Sequence, residues 1–197
     1  MTGNTDRAIM RALQIRSNDL PPFRARRAKR DVLPVLFSRF GFTRGVEVGT
    51  RIGSFAEMLC RGIPGLQLTC VDPWTKYGNE TQEQQDSHYA RAVARLTQYG
   101  VNIVREFSVE AAKSVPDGSL DFVYIDANHD FDHVMADILA WAPKVRRGGI
   151  ISGHDYYHFT RSGIVPAVDA YILAHGIRNL FLTNEQESSW LFVKLEE

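Results

Sequence analysis

The stretch GVEVGTRIGSFAEML, residues 45–59, decides the fold. It runs from a short apolar segment through a glycine-bearing turn into an amphipathic pattern, the order strand, turn, helix. Ser54 sits where an N-cap would stand, and the helix should close at Gly62, before Pro64. Downstream, short apolar runs at 66–72, 101–107, 120–126 and 148–155 read as four more strands. Between the last two, Phe131, Val134, Ile138 and Trp141 recur at helical spacing until Pro143 ends the pattern. Such alternation predicts a parallel sheet covered by helices on both faces.

The chain closes differently. IVPAVDAYILAHG (164–176) places Pro166 at an expected first helical position and Gly176 as the stop. Two strand-like runs follow, RNLFLT (178–183) and SWLFVKL (189–195), too close together for a crossover helix, so they should pair antiparallel. The expectation is a Rossmann-like, doubly wound, seven-stranded and mostly parallel α/β sheet with a C-terminal antiparallel hairpin. Residues 1–40 read as an N-terminal helical extension and 41–197 as the main domain. Within residues 73–100, the polar, Gln/Glu-rich first part reads as a lid or substrate-selecting loop, or a plain solvent-exposed insertion, beyond a strand's carboxyl end, where open α/β sheets bind ligands. Tyr89, Val93 and Leu96 of the second part read as a sheet-packing helix.

Acidic and basic residues balance at 23 each, so whole-chain charge points neither to nucleic acid nor to membrane. One segment is uneven: PPFRARRAKR holds Arg24, Arg26, Arg27, Lys29 and Arg30, a solvated face, the rim of a homodimer, or an RNA contact. Cys60 and Cys70 lack metal-type spacing and read as reduced core thiols, which suits the cytoplasm. No apolar run is long enough to span a bilayer, and MTGNTDRAIMRAL lacks the apolar block of a signal peptide.

The turn bears on the cofactor. A dinucleotide site needs G-x-G-x-x-G for close pyrophosphate approach, but here Arg51 follows Gly49 and Thr50 before Gly53. Glu47, just before the turn, would repel phosphate and accept an ammonium group. Asp72 lies 23 residues beyond Gly49, near the spacing of about 20 at which an acid meets ribose hydroxyls. An adenosine carrying an amino acid and no phosphate is S-adenosylmethionine.

GVEVGTRIGSFAEML, VDPW, VREFSVEAA, YIDANHDFDHVMADILAWAPKVRRGGIISGHDY and the closing hairpin together resemble class I S-adenosylmethionine-dependent methyltransferases. They resemble most the branch of macrocin-type sugar O-methyltransferases. The resemblance spans about residues 40–195. It implies that Glu47, Gly49 and Gly53 cradle the methionine part, with Thr50 and Ser54 in the same turn. It implies further that Asp72 holds the ribose, that Ser108 lies beside the adenine, and that Asp126 borders cofactor and acceptor.

IDANHD and GHDYYH end two strands that should be neighbours about 4.8 Å apart. Asp126 and Asp155 would then share one cation, an oxygen-rich arrangement that suits Mg²⁺, Mn²⁺ or Ca²⁺, with His129 and His154 as nitrogen ligands or a free base. The resemblance implies that Asp126 and Asp155 are metal ligands and His129 the general base. His154 stands where those enzymes carry Glu and becomes the third ligand. His133 reads as a surface residue, and Tyr156, Tyr157 and His158 as pocket lining. Asn128 or Asp130 could cap the helix that follows. The expected activity is methylation of a hydroxyl on a small sugar-like or natural-product-like molecule. The rivals are an RNA or protein methyltransferase docking through residues 24–30, a non-catalytic S-adenosylmethionine-binding subunit, and a nicotinamide-dependent oxidoreductase.

Overall fold

A computed structural model describes residues 2–16, 18–157 and 162–195. Helix α1 (Thr2–Ala12), the two-residue strand β1 (Phe23–Arg24) and α2 (Val32–Arg39) precede the regular alternation. That alternation comprises β2 (Arg44–Val48), α3 (Ser54–Gly62), β3 (Gln67–Val71), α4 (Gln82–Leu96), β4 (Asn102–Val104), α5 (Ser108–Ala112), β5 (Leu120–Ile125), α6 (Phe131–Trp141) and β6 (Val145–Gly153). Helix α7 (Ile164–Ala174) and strands β7 (Phe181–Leu182) and β8 (Trp190–Val193) complete it.

The strands form one sheet in the order β1-β7-β8-β6-β5-β2-β3-β4. All run parallel except β8, which is antiparallel to β6 and β7. The expected doubly wound sheet and closing hairpin are therefore present, but the sheet has eight strands, not seven. The extra strand is β1, hidden inside the basic run. The Phe23 amide donates to Leu180 O and the Ala25 amide to Leu182 O, both at 2.7 Å, and the Phe23 ring stacks on Phe181 with centroids 5.5 Å apart. Two residues are too few to show a period, so charge masked the strand.

Alternation along the strands divides the core. Val46, Val48, Val123 and Ile125 face α5, α6 and α7, whereas Leu68, Cys70, Phe122 and Tyr124 face α1, α2 and α3. Ile9, Leu13, Leu33, Leu36 and Phe37 of the first 40 residues belong to that second layer and are fully buried, Phe37 packing on Phe122 at 4.5 Å. Each such side chain contributes roughly 1.5–3 kcal/mol by leaving water.

Several local expectations change. Ser54 is the first helical residue of α3, and Gly53 holds the cap position at φ +73°. Ser54 Oγ accepts from Arg95. Pro166 is the third residue of α7, not the first. Much of the polar stretch after residue 73 is helical: Thr81 and Gln84 form a reciprocal capping box that starts α4 at Gln82. The non-helical insertion is accordingly short, residues 72–81. At the start of α6, Asp130 occupies the cap position without a side-chain bond, and Asn128 Oδ1 accepts the Asp130 amide at 2.8 Å.

Candidate active site

Successive strands are added outward in opposite directions from the parallel pair β2 and β5, and ligands of open α/β sheets bind beyond the carboxyl ends of such a pair. The glycine turn follows β2 here, and Asp126 follows β5. Gly49 is required by the close approach of the two. Its φ is +88°, and a Cβ would fall 2.0 Å from the backbone oxygen of Asp126.

Arg51 adopts a left-handed backbone, which glycine takes most readily. Its φ is +49°, a left-handed conformation that costs a non-glycine residue about 1–2 kcal/mol. Neighbours hold it there. Asp72 Oδ2 accepts the Arg51 amide at 2.8 Å, and Trp74 Nε1 donates to the Arg51 carbonyl at 2.8 Å. The Arg51 side chain reaches Glu80 at 3.0 Å, fastening the insertion to the turn. Asp72 Oδ1 accepts the Trp74 amide as well, so this carboxylate ties the β3 loop to the turn with both oxygens. Burial raises its pKa, against the lowering effect of those two amides.

Glu47 is only 3% exposed, in register with Cys70 and Tyr124, beneath the turn. Its Oε2 and the Thr50 hydroxyl are buried and unbonded. Burial, with a further push from Asp126, lifts its carboxyl to about 8. The folded state thus holds this proton more tightly than the unfolded chain. The resulting stability is complete below the ordinary value of 4.5 and is lost as pH rises through about 8. Glu47→Gln should therefore gain on the order of a few kcal/mol over the parent at pH 9 and almost nothing at pH 5 in denaturant titrations. An equal gain at both pH values would refute this account.

Four of the expected site residues come together at the ends of β5 and β6. Asp155, at φ +59° and buried, is the hub: Oδ2 lies 3.1 Å from His129 Nε2 and Oδ1 3.2 Å from His154 Nδ1. Burial alone would raise the Asp155 carboxyl, but the two histidines outweigh it and hold it well below the usual carboxylate range. The hydrogen bond to Asp155 raises the pKa of His129 against the opposing effect of burial. Asp126 is lifted by burial and drawn back by His154, whose Nδ1 is 3.9 Å away. Asp126, His129 and His154 line a cleft with Asn128 and Trp190. Asp126, His154 and Asp155 each offer one ligand atom, all within 4.8 Å of one another, a donor set of two carboxylates and an imidazole.

Other candidates stand apart from this cluster. Ser108 begins α5, and its hydroxyl accepts from Trp141 Nε1 at 2.8 Å. His133 is exposed, with its nearest acid, Asp130, at 3.9 Å. The Tyr156 hydroxyl donates to Asp169 of α7 at 2.6 Å. His158 lies outside the described residues.

Arg30, from the basic run, joins the cluster unforeseen. Its guanidinium lies 3.5 Å from Asp126 Oδ2 and 5.0 Å over the Phe55 ring. It is separated from Asp126 by 96 residues, and nothing in the run's composition marks it out from its four basic neighbours.

The family model described as "Methyltransferase domain" matches residues 46–156. An uncharacterised protein of Sinorhizobium fredii is 28% identical over 124 residues, an alignment of 57% of this chain and 13% of that one. The chain thus spans only a small part of that curated relative. Among solved structures, a Corynebacterium glutamicum protein superposes with a TM-score of 0.63 at 18% identity, over 100% of this chain and 92% of the other. An O-methyltransferase from Bacillus cereus, solved with S-adenosylhomocysteine, superposes with a TM-score of 0.61 at 15% identity, over 98% and 92%. At these identities the two structures speak for the fold alone.

Proposed function

The chain belongs to the methyltransferase-domain family, and from that premise we propose that it moves a methyl group from S-adenosylmethionine to a hydroxyl of a small molecule. The observation that carries this reading is the Asp126–His129–His154–Asp155 cluster. It lies at the switch point beside the glycine turn. An amine acceptor would need no such apparatus, whereas an alcohol does not lose its proton unaided at neutral pH.

The chain's own residues fit the cofactor. Glu47 Oε2 and Thr50 Oγ1 are orphaned polar atoms at the turn, suited to an ammonium end, and the Asp72 carboxylate stands beside them to receive ribose hydroxyls. When bound, S-adenosylmethionine supplies a methyl group activated by a sulfonium. His129, whose Nε2 donates to Asp155 Oδ2, takes the acceptor's proton at its other ring nitrogen, and Asp155 stabilises the imidazolium that results. The new C–O bond forms as the C–S bond breaks, and the sulfur keeps the electron pair. Asp126, His154 and Asp155 would hold Mg²⁺ or Mn²⁺, which would supply a Lewis acid that lowers the pKa of a bound hydroxyl. Reduced Cys60 and Cys70 suit action in the cytoplasm.

Two measurements test this. S-adenosylhomocysteine should bind the parent in calorimetry and bind Asp72→Ala at least roughly tenfold more weakly, since the variant loses charge-assisted bonds and the tie on the turn. Unchanged affinity would remove Asp72 from the ribose site. Chelation should suppress turnover and added Mg²⁺ or Mn²⁺ restore it. Full turnover in chelator would leave proton removal to His129 and Asp155 alone.

The basic run supports this small-molecule reading over RNA docking. Its segment is laid against the hairpin: Arg24 binds Ser188 Oγ at 2.6 Å, and Asn184 donates to the carbonyls of Arg26 and Ala28. Arg30 turns inward.

A further inference from the structure

We propose that Arg30 is a specificity-determining residue that receives an anionic group on the acceptor, so that the substrate is a hydroxylated acid carrying a carboxylate or phosphate. This rests on the reading of the cleft as the site of methyl transfer.

The guanidinium is built into the site. Its backbone is fixed where the Arg30 amide donates to Glu185 Oε2 at 3.2 Å, and its plane is seated on Phe55, the second residue of the helix that follows the glycine turn. It is neither a free surface cation nor a closed ion pair, being 31% exposed in its side chain. Among the described residues it makes one ion pair, with Asp126 through NH1 at 3.5 Å. That is well beyond the roughly 2.7–2.9 Å of a full charge-assisted bond. A guanidinium carries five donors in a flat fork that matches carboxylate or phosphate in two-point geometry, and here its side-chain partners are Tyr124 and, at long range, Asp126. Where buried arginines balance a charge for stability alone, short bidentate contacts are the usual solution.

The placement also suits catalysis. Arg30 and His154 both approach Asp126 Oδ2, and Asp126 lines the cleft with His129. A hydroxyl presented to Asp126 and His129 by a molecule whose acid group reaches Arg30 would be fixed at two points. That fixation is what lowers the entropy cost of reaching the transition state. Arg24, Arg26, Arg27 and Lys29 are exposed on the same segment and set a positive potential that draws in acidic molecules. The chain as a whole is neutral, so this potential is local.

The test uses the full chain loaded with S-adenosylhomocysteine, titrated in a calorimeter with inorganic phosphate and, separately, with benzoate at constant ionic strength. The parent should bind at least one of these in the millimolar range. Arg30→Gln should bind that anion at least tenfold more weakly, with S-adenosylhomocysteine affinity kept within twofold. Arg26→Gln, on the exposed part of the run, should bind like the parent. Arg30→Lys, which keeps the charge but loses the fork, should fall between them and serves if Arg30→Gln does not fold. Phosphate binding without benzoate binding assigns a phosphorylated acceptor, and the reverse a carboxylic one. The proposal is overturned if the parent binds neither anion, or if Arg30→Gln and Arg26→Gln bind alike. If S-adenosylhomocysteine itself fails to bind, the methyltransferase reading falls, and the same titrations on the unloaded chain still report on Arg30.

Discussion

Asp155→Asn should lower turnover by roughly a hundredfold to ten-thousandfold, the range expected when a general base loses its orientation, while S-adenosylhomocysteine affinity stays within about twofold of the parent. Asp155 contacts both site histidines, at 3.1 and 3.2 Å. Asparagine is the informative replacement because it tolerates the left-handed backbone at φ +59°, so the loop should keep its shape. What disappears is charge. A neutral amide cannot support an imidazolium at His129, and one carboxylate leaves the three-residue donor set. The pH profile offers a second reading. In the parent, Asp155 holds the His129 pKa above the ordinary 6.5, so the unprotonated base appears only as pH rises past that value. In Asp155→Asn the acid limb of the kcat profile should move to lower pH. Turnover within threefold of the parent, with an unmoved limb, would place the base elsewhere.

Gly49→Ala should be the most damaging single-methyl change in the turn. The new Cβ would lie 2.0 Å from Asp126 O and 2.7 Å from the Ala127 Cα, both backbone atoms in a central strand end that cannot move aside. The added φ cost is small beside this overlap. A loss of about 4 kcal/mol or more is expected, as for other buried steric conflicts, which in a chain of this size means roughly 8–16 °C in Tm or failure to fold. Gly100→Ala provides the comparison. It shares a left-handed backbone at φ +66° but has nothing within 4 Å of the new methyl, so only the conformational cost of about 1 kcal/mol should appear. If both variants melt alike, steric closure at Gly49 is not what the turn requires.

Much of this was legible in the sequence because it depends on local pattern. The strand–turn–helix at 45–59 and the hairpin at the end follow from apolar period and loop length. Asp126, His129, His154 and Asp155 fall in two short stretches that end adjacent parallel strands, so pairing β5 with β6 was enough to bring them together. Other features depend on contacts between distant segments. β1 is a strand only because Leu180 and Leu182 receive its amides. Arg51 departs from a glycine pattern, and Asp72 and Trp74 from a distant segment hold it in a left-handed backbone. Arg30 was indistinguishable from Arg26 or Arg27 until the fold showed which of them points inward.

The pairing of β1 with β7 also sets a sequence of events in time. Phe23 meets Phe181, and the amide of Arg30 meets Glu185 across 155 residues. During synthesis the first segment leaves the ribosome long before its partner exists, and contacts of such separation form late because loop closure must be met first. The central strands β2 to β6 can therefore assemble, and the histidine–aspartate cluster with them, while the arm bearing Arg30 is still waiting. A chain stalled or cut before residue 178 would keep the arm but lack β7 and Glu185, which seat it, and Trp190 of the cleft wall.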